Sequence, residues 1–332
     1  FPFEDEASRS VAIAAVLTAL VRGSISSAPM FGFSAPKMSS GKSLLADIVS
    51  LFLTGKRNSV ISQSQSESEE KKRIISILLE GDPIVCYDNI EKPFGSPTLC
   101  SILTEENYKD RILNKNETKS VLTNITFLAT GNNLTFAGEI STRALLCKLD
   151  PKVERPEERS FNINLRLHIP QNRYHLVPKC LTLLRGYIAA GKPNQNLKTL
   201  GRFEEWSDLI RSTIVWLGLA DPCDTRKSIE DSDPIRLNLN SLFYCWHELF
   251  KSRGVKASEI VDKAKSEENE IAKTLKETLI ELAINNKGEI DSRVLAKKLS
   301  LYKNRIEGGY RLLNKGNNQG TTLWAVEKIN NE

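Results

Sequence analysis

Apolar residues recur at helical spacing over residues 7–21 (ASRSVAIAAVLTALV), a pattern that predicts an opening helix. Residues 29–33 (PMFGF) form a short apolar run. A turn-rich stretch follows, and then the Leu-rich segment 43–53 (SLLADIVSLFL). The predicted order is strand, loop, helix. The polar segment 62–72 (SQSQSESEEKK) precedes a further predicted helix over 72–80. The runs 83–87 (PIVCY), 121–130 (VLTNITFLAT) and 144–149 (ALLCKL) read as buried strands. Strands alternating with helices predict a parallel sheet in an α/β domain.

Near 150–158 (DPKVERPEE) the chain turns polar and proline-containing, which predicts a boundary. Residues 173–218 are mainly helical in pattern, and 219–234, rich in Asp and Pro, read as a linker. Further on, 270–285 and 292–299 have helical periodicity. The runs 309–313 (GYRLL) and 321–327 (TTLWAVE) flank a Gly/Asn turn as a hairpin. Three units are expected: an α/β core over 1–155, a helical lid and linker over 156–234, and a winged-helix-like α+β domain over 235–332.

Composition narrows the classes. Hydrophobic residues at 40% and charged residues at 26% are ordinary for a soluble globular protein. A net charge of +5 permits a polyanionic partner without requiring one. Six cysteines stand singly and histidines number three, which argues against a disulfide framework or a zinc site and fits a reducing cytoplasm. The apolar run 11–21 is too short to span a bilayer, so a cytoplasmic protein without a membrane is expected. The chain opens at Phe1 rather than Met, which leaves room for an upstream segment.

The chemistry concentrates in Pro36-Lys37-Met38-Ser39-Ser40-Gly41-Lys42-Ser43, followed by Leu44. This matches the phosphate-binding loop GxxxxGK[ST], with Pro36 where the first Gly is usual, or else is a chance GKS in a surface loop. A strand feeding a tight loop and a helix N-terminus aims backbone N–H groups at phosphates. Lys42 would neutralise the β- and γ-phosphates of ATP and Ser43 would hold Mg²⁺. The next buried run ends in Asp88, a second carrier for the metal, or else an Asp closing an ordinary strand. Asn89 follows where a Glu base is usual, with Glu91 the substitute. Thr130-Gly131-Asn132-Asn133 ends the following run. There Asn132, or Asn133 beside it, would orient the attacking water, although Gly-Asn-Asn is also good turn chemistry. Arg143 precedes the last strand and would reach a neighbouring subunit's γ-phosphate, with Arg111 the competitor and a surface salt bridge the bland alternative.

Taken in order, APKMSSGKSLLA, PIVCYDNIEKPFGSPTL, ILTEENYKDRIL, FLATGNNL, STRALLCKLD, RPEERSF and FEEWSDLI resemble one family. It is the helicase-like ATPase region of primase–helicase proteins carried by phages and integrative elements. These belong to the AAA+ class and are similar to superfamily 3 helicases and the MCM proteins. The resemblance covers residues 1–218. It implies a P-loop NTPase fold with an AAA+-like sheet and a hexameric homo-oligomer with ATP sites between subunits. It also places a primase domain or partner upstream. In superfamily 3 relatives a pore hairpin occupies the interval holding Lys115 and Lys119, which would contact DNA phosphates; a solvated charged turn reads equally well. Between Lys287 and Lys315, eight basic residues outnumber three acidic ones. Lys297, Lys298, Arg305 and Arg311 are the DNA-binding candidates among them. The expected activity is ATP-driven unwinding or translocation on single-stranded or forked DNA in replication of a mobile element. The competing expectations are an ATP-switched initiator or loader that does not unwind, and a small-molecule kinase.

Overall fold

The computed structural model describes residues 1–64, 66–111, 118–318 and 320–329. The chain forms two compact units, Phe1–Asp233 and Pro234–Glu332.

In the first unit, α1 (Glu6–Val21) starts at Asp5, whose carboxylate accepts the Ser8 N–H at 2.6 Å. β1 (Met30–Ala35) is buried along its whole length, as befits a strand covered on both faces. α2 (Lys42–Thr54) begins directly after Gly41 and ends at Gly55, whose N–H returns to Leu51 O. β2 (Ser59–Ile61) is a three-residue edge strand. α3 (Glu67–Glu80) starts earlier than its apolar residues suggest. Ser66 caps it, and Glu67, Glu69 and Glu70 fill its first turn, favourable charges at a helix N-terminus. β3 (Ile84–Ile90) and α4 (Pro97–Thr104) follow.

The run read as one strand over 121–130 is two. β4 (Asn107–Arg111) and β5 (Thr118–Leu122) form an antiparallel hairpin, and β6 (Thr126–Asn132) starts afresh. The reason is burial: Leu122 is 55% exposed and ends the hairpin, while Val121 is half-buried against the core. β7 (Ala144–Lys148) completes a five-stranded parallel sheet in the order β2-β3-β6-β1-β7. Helices flank this sheet, an α/β arrangement of the P-loop NTPase kind.

α5 (Leu165–Ala189) runs 25 residues through Pro170 and Pro178. It is tied to α2 by Arg166, whose guanidinium sits 2.8 Å from buried Asp47, and by Arg173, which donates to Phe52 O at 2.8 Å. Short turns α6 (Glu204–Trp206) and α7 (Ser212–Trp216), joined by the wider turn Ser207–Arg211, set Trp206 in the core against Thr18. The stretch 219–234, expected as a linker, instead carries a 3₁₀ turn (Pro222–Thr225) and α8 (Arg226–Ser232). Ile229 supplies the reason, since it is fully buried in the first unit's core.

The second unit holds α9 (Pro234–Phe250), α10 (Ala257–Ser266), α11 (Glu270–Leu282) and α12 (Ser292–Leu301). β8 (Ile306–Glu307), β9 (Tyr310–Asn318) and β10 (Thr321–Lys328) form an antiparallel sheet in the order β10-β9-β8. Trp246, Phe243, Leu275, Leu295 and Trp324 belong to a core of its own.

Candidate nucleotide site

Three adjacent strands, β3, β6 and β1, deliver their C-terminal ends to one place. β1 runs into the loop 36–41, whose conformational demand falls on Ser39 (φ 57°) and Gly41 (φ 109°). Both take the left-handed region, which glycine adopts most easily. Pro36 lies outside that demand, so the missing first glycine is tolerated. Ser40 Oγ donates to Lys37 O at 2.8 Å and closes the loop on itself.

Lys42 begins α2 and is nearly buried. Its Nζ donates to Asn132 Oδ1 at 2.7 Å and to Lys37 O at 2.9 Å. Burial pulls its pKa below the ordinary lysine value, and the nearby Asp88 carboxylate opposes that shift. Ser43 Oγ donates to Asp88 Oδ1 at 3.2 Å. Thr130 Oγ1 donates to the same carboxylate oxygen and accepts the Asn89 N–H at 3.2 Å.

A bulge makes this geometry. Tyr87 pairs with Ala129 and Ile90 with Gly131, so Asp88 and Asn89 together face the single residue Thr130. An extra residue of this kind re-aims side chains at a strand end. Asn89 takes a φ of 54° there. The strands close again where Ile90 O lies 2.5 Å from the position a Cβ would take on Gly131, an approach only glycine permits.

Lys42, Ser43, Asp88 and Asn132 are therefore brought together. Of the two asparagines, Asn132 reaches Lys42 by its side chain; Asn133 contributes its N–H to Ala35 O at 3.0 Å. Beside the loop lies a cleft of about 680 Å³, lined by residues 39–44 together with Phe161, Ile163 and Arg159. Phe161 is 70% exposed, with the Arg159 guanidinium 5.3 Å over its ring, and Arg159 also donates to Ser40 O at 3.1 Å. Thr130, Arg159 and Phe161 were not singled out by sequence. Thr130 is the one with a local signal, a hydroxyl on the strand that ends in Asn132.

Arg143 stands apart from this group. Its carbonyl accepts the Met30 N–H, at the end of β1 opposite to the loop. Its side chain is buried: it donates to Cys100 O and forms a salt bridge at 2.9 Å with the exposed Glu139, while its Nε has no partner among the described residues. Arg111 ends β4.

The basic candidates are dispersed. Lys119 is exposed on β5 and pairs in register with Asp110, whereas Lys115 lies outside the described residues. Lys297 and Lys298 are exposed on α12. Arg305 is held instead by Glu307, at 2.8 and 3.0 Å, and lies over Tyr302. Arg311 is exposed on β9. Among the described residues no helix is long and apolar enough to cross a membrane, and no cluster of three metal-ligating side chains occurs.

No family model matches the chain, and no curated protein matches it. It is similar to the apo A form of the NrS-1 C-terminal region at 11% identity, over 98% of this chain and 76% of that one, with a TM-score of 0.42. The SCCmec type IV Cch active helicase is similar at 13% identity, over 98% and 66% of the two chains, with a TM-score of 0.39. The JCV helicase is similar at 12% identity, over 70% and 60%, with a TM-score of 0.29.

Proposed function

We propose that the chain binds and hydrolyses ATP and couples that reaction to work on DNA as a helicase or translocase. The observation that carries this reading is the meeting of Lys42, Ser43, Asp88 and Asn132 at the ends of three adjacent parallel strands. A phosphate chain laid along the loop 36–41 meets backbone N–H groups, the α2 N-terminus and the Lys42 ammonium together. With ATP bound, Lys42 exchanges Asn132 for phosphate oxygens, which frees the Asn132 amide to orient water at the γ-phosphate.

Ser43 Oγ and Asp88 Oδ1, 3.2 Å apart, are hard oxygen donors of the type Mg²⁺ takes alongside phosphate oxygens and water. The donor set fits, and the ion would offset charge that develops on the phosphates. Arg143 lies at the other end of β1 from its own Lys42, so the role proposed for it is as a donor to a second copy, for which its buried guanidinium must leave Cys100 O and Glu139. That arrangement supports a ring, of six copies in our reading.

The wider reading divides the chain into an AAA+-like ATPase core (1–155), a helical lid (156–234) and a winged-helix-like DNA-binding domain (235–332). In the last, α12 precedes the β9–β10 hairpin and carries Lys297 and Lys298. Lys119, Arg305 and Arg311 are further phosphate contacts. The setting proposed is replication of a phage or mobile element, with a primase upstream. Asn89 in place of Glu favours one alternative, an ATP-switched initiator or loader that turns over slowly.

Steady-state ATP hydrolysis with and without single-stranded DNA, for wild type and Lys42→Ala, tests the proposal. Hydrolysis that rises with DNA and vanishes in the variant is expected. A wild-type rate that Lys42→Ala leaves unchanged would overturn the ATPase reading. Binding of ATP without hydrolysis would shift it to the switch.

A further inference from the structure

We propose that Glu91 is the general base that takes the proton of the attacking water, an assignment that rests on the ATPase reading above. Asn89 occupies the position after Asp88, and its amide carries no group that can accept a proton at neutral pH. A carboxylate must come from elsewhere. On this side of the sheet a cleft of about 780 Å³ is lined by Asn89 together with three of them, Glu67, Glu70 and Glu91.

Two of the three are already committed to the fold. Glu70 is buried, accepting the Tyr87 hydroxyl and, at 3.3 Å, the Ser64 N–H. Glu67 is exposed, but one of its oxygens accepts both the Thr98 N–H at 3.0 Å and the Thr98 hydroxyl at 2.5 Å, which ties the side chain to α4. Asp88 accepts from Ser43 and Thr130. Glu91 is different. It is exposed, and one oxygen accepts from Asn89 Nδ2 at 3.1 Å, which leaves the other for water.

The bulge explains how Glu91 comes to stand there. Doubling Asp88 and Asn89 against Thr130 shifts the alternation of the strand end. There Asn89 Nδ2 donates to Glu91 Oε1 at 3.1 Å, which sets the two side chains beside each other. Asn89 is itself fixed through its N–H to Thr130 Oγ1. Its amide thus holds a carboxylate next to the place where a Glu at position 89 would project its own. The edge strand helps: among the described residues β2 pairs with Val85–Tyr87 and no strand covers Asp88–Ile90 on that side, which gives water an approach.

In the step itself, the water oxygen forms a bond to the γ-phosphorus as Glu91 accepts one water proton. The bond from the γ-phosphorus to the β,γ-bridging oxygen breaks, and its electron pair leaves on ADP. Glu91 then returns the proton to solvent.

The test is ATP affinity and single-turnover hydrolysis, with single-stranded DNA, for wild type, Lys42→Ala, Glu91→Gln and the double variant Asn89→Glu/Glu91→Gln. General-base removal predicts a loss of about 10²- to 10⁴-fold in rate for Glu91→Gln. ATP affinity should stay near wild type, because the exposed side chain makes no phosphate contact. The double variant restores a carboxylate beside Asp88 and should recover much of the rate. Glu91→Gln at the wild-type rate, a parallel loss of ATP affinity, or a double variant no faster than Glu91→Gln would each overturn the assignment while leaving Lys42-dependent hydrolysis intact. Absence of Lys42-dependent hydrolysis in the wild type would overturn the ATPase reading, and this assignment with it.

Discussion

Gly131→Ala probes the closure of the bulge directly. An alanine Cβ at this position would lie 2.5 Å from Ile90 O and 3.3 Å from Leu134 Cβ, where real Cβ contacts essentially never fall below 3.0 Å. The obstructing atom is backbone, so no side-chain rotation relieves it. β3 and β6 must separate by about half an ångström at the pair that follows Asp88 and Asn89. Overpacking of this kind costs roughly 1–3 kcal/mol. For a unit of this size each kcal/mol lowers Tm by about 2–4 °C. The same displacement moves Asp88 relative to Lys42 and Asn132, and misplacement near 1 Å costs up to about 10²-fold in rate. The assay is thermal melting together with ATPase kcat well below the variant's Tm. Gly32→Ala in β1 is the comparison. Its added methyl meets the Phe136 side chain at 2.8 Å, so Tm should fall with kcat close to wild type. Unchanged Tm and kcat in Gly131→Ala, or equal kcat losses in the two variants, would refute the argument.

Two further outcomes follow from the site and its surroundings. Arg143→Ala should preserve ATP binding and stop hydrolysis, and added to wild type it should depress activity more steeply than its share of the mixture; normal hydrolysis by the variant alone would remove Arg143 from the reaction. Lys297→Ala/Lys298→Ala should weaken DNA binding and lower the slope of log affinity against log salt by about 2, and an unchanged slope would move the DNA contact off α12.

Much of the sheet could be read directly from the chain. PMFGF, PIVCY and ALLCKL are buried apolar runs, and each is a strand because a parallel sheet covered by helices needs apolar residues on both faces, here even at the β7 edge. The loop 36–41 was legible because Gly41, Lys42 and Ser43 are each demanded by phosphate chemistry. What escaped has a physical reason. The bulge is a matter of register between Asp88-Asn89 and Thr130, and register belongs to two strands at once. Val121-Leu122 misled because the apolar Leu122 faces solvent there, and 219–234 misled because one buried Ile229 outweighs its Asp and Pro content. Of the partners of Arg143, Glu139 is local, four residues earlier in the turn 138–142, but Cys100 comes from α4 and nothing nearby in the chain announces it.

The placement of Arg143 at one end of β1 and Lys42 beyond the other has a consequence for how copies line up. If each nucleotide takes its lysine from one copy and its arginine from the next, every copy is both lender and borrower. An open row then always strands its two ends, one copy with an arginine that meets nothing and one with a lysine left waiting. A pair completes only one of its two sites, and lengthening the row dilutes that loss without removing it. Closing the row into a ring removes both ends at once. Closure is then rewarded for completeness, whatever the strength of any single contact between neighbours.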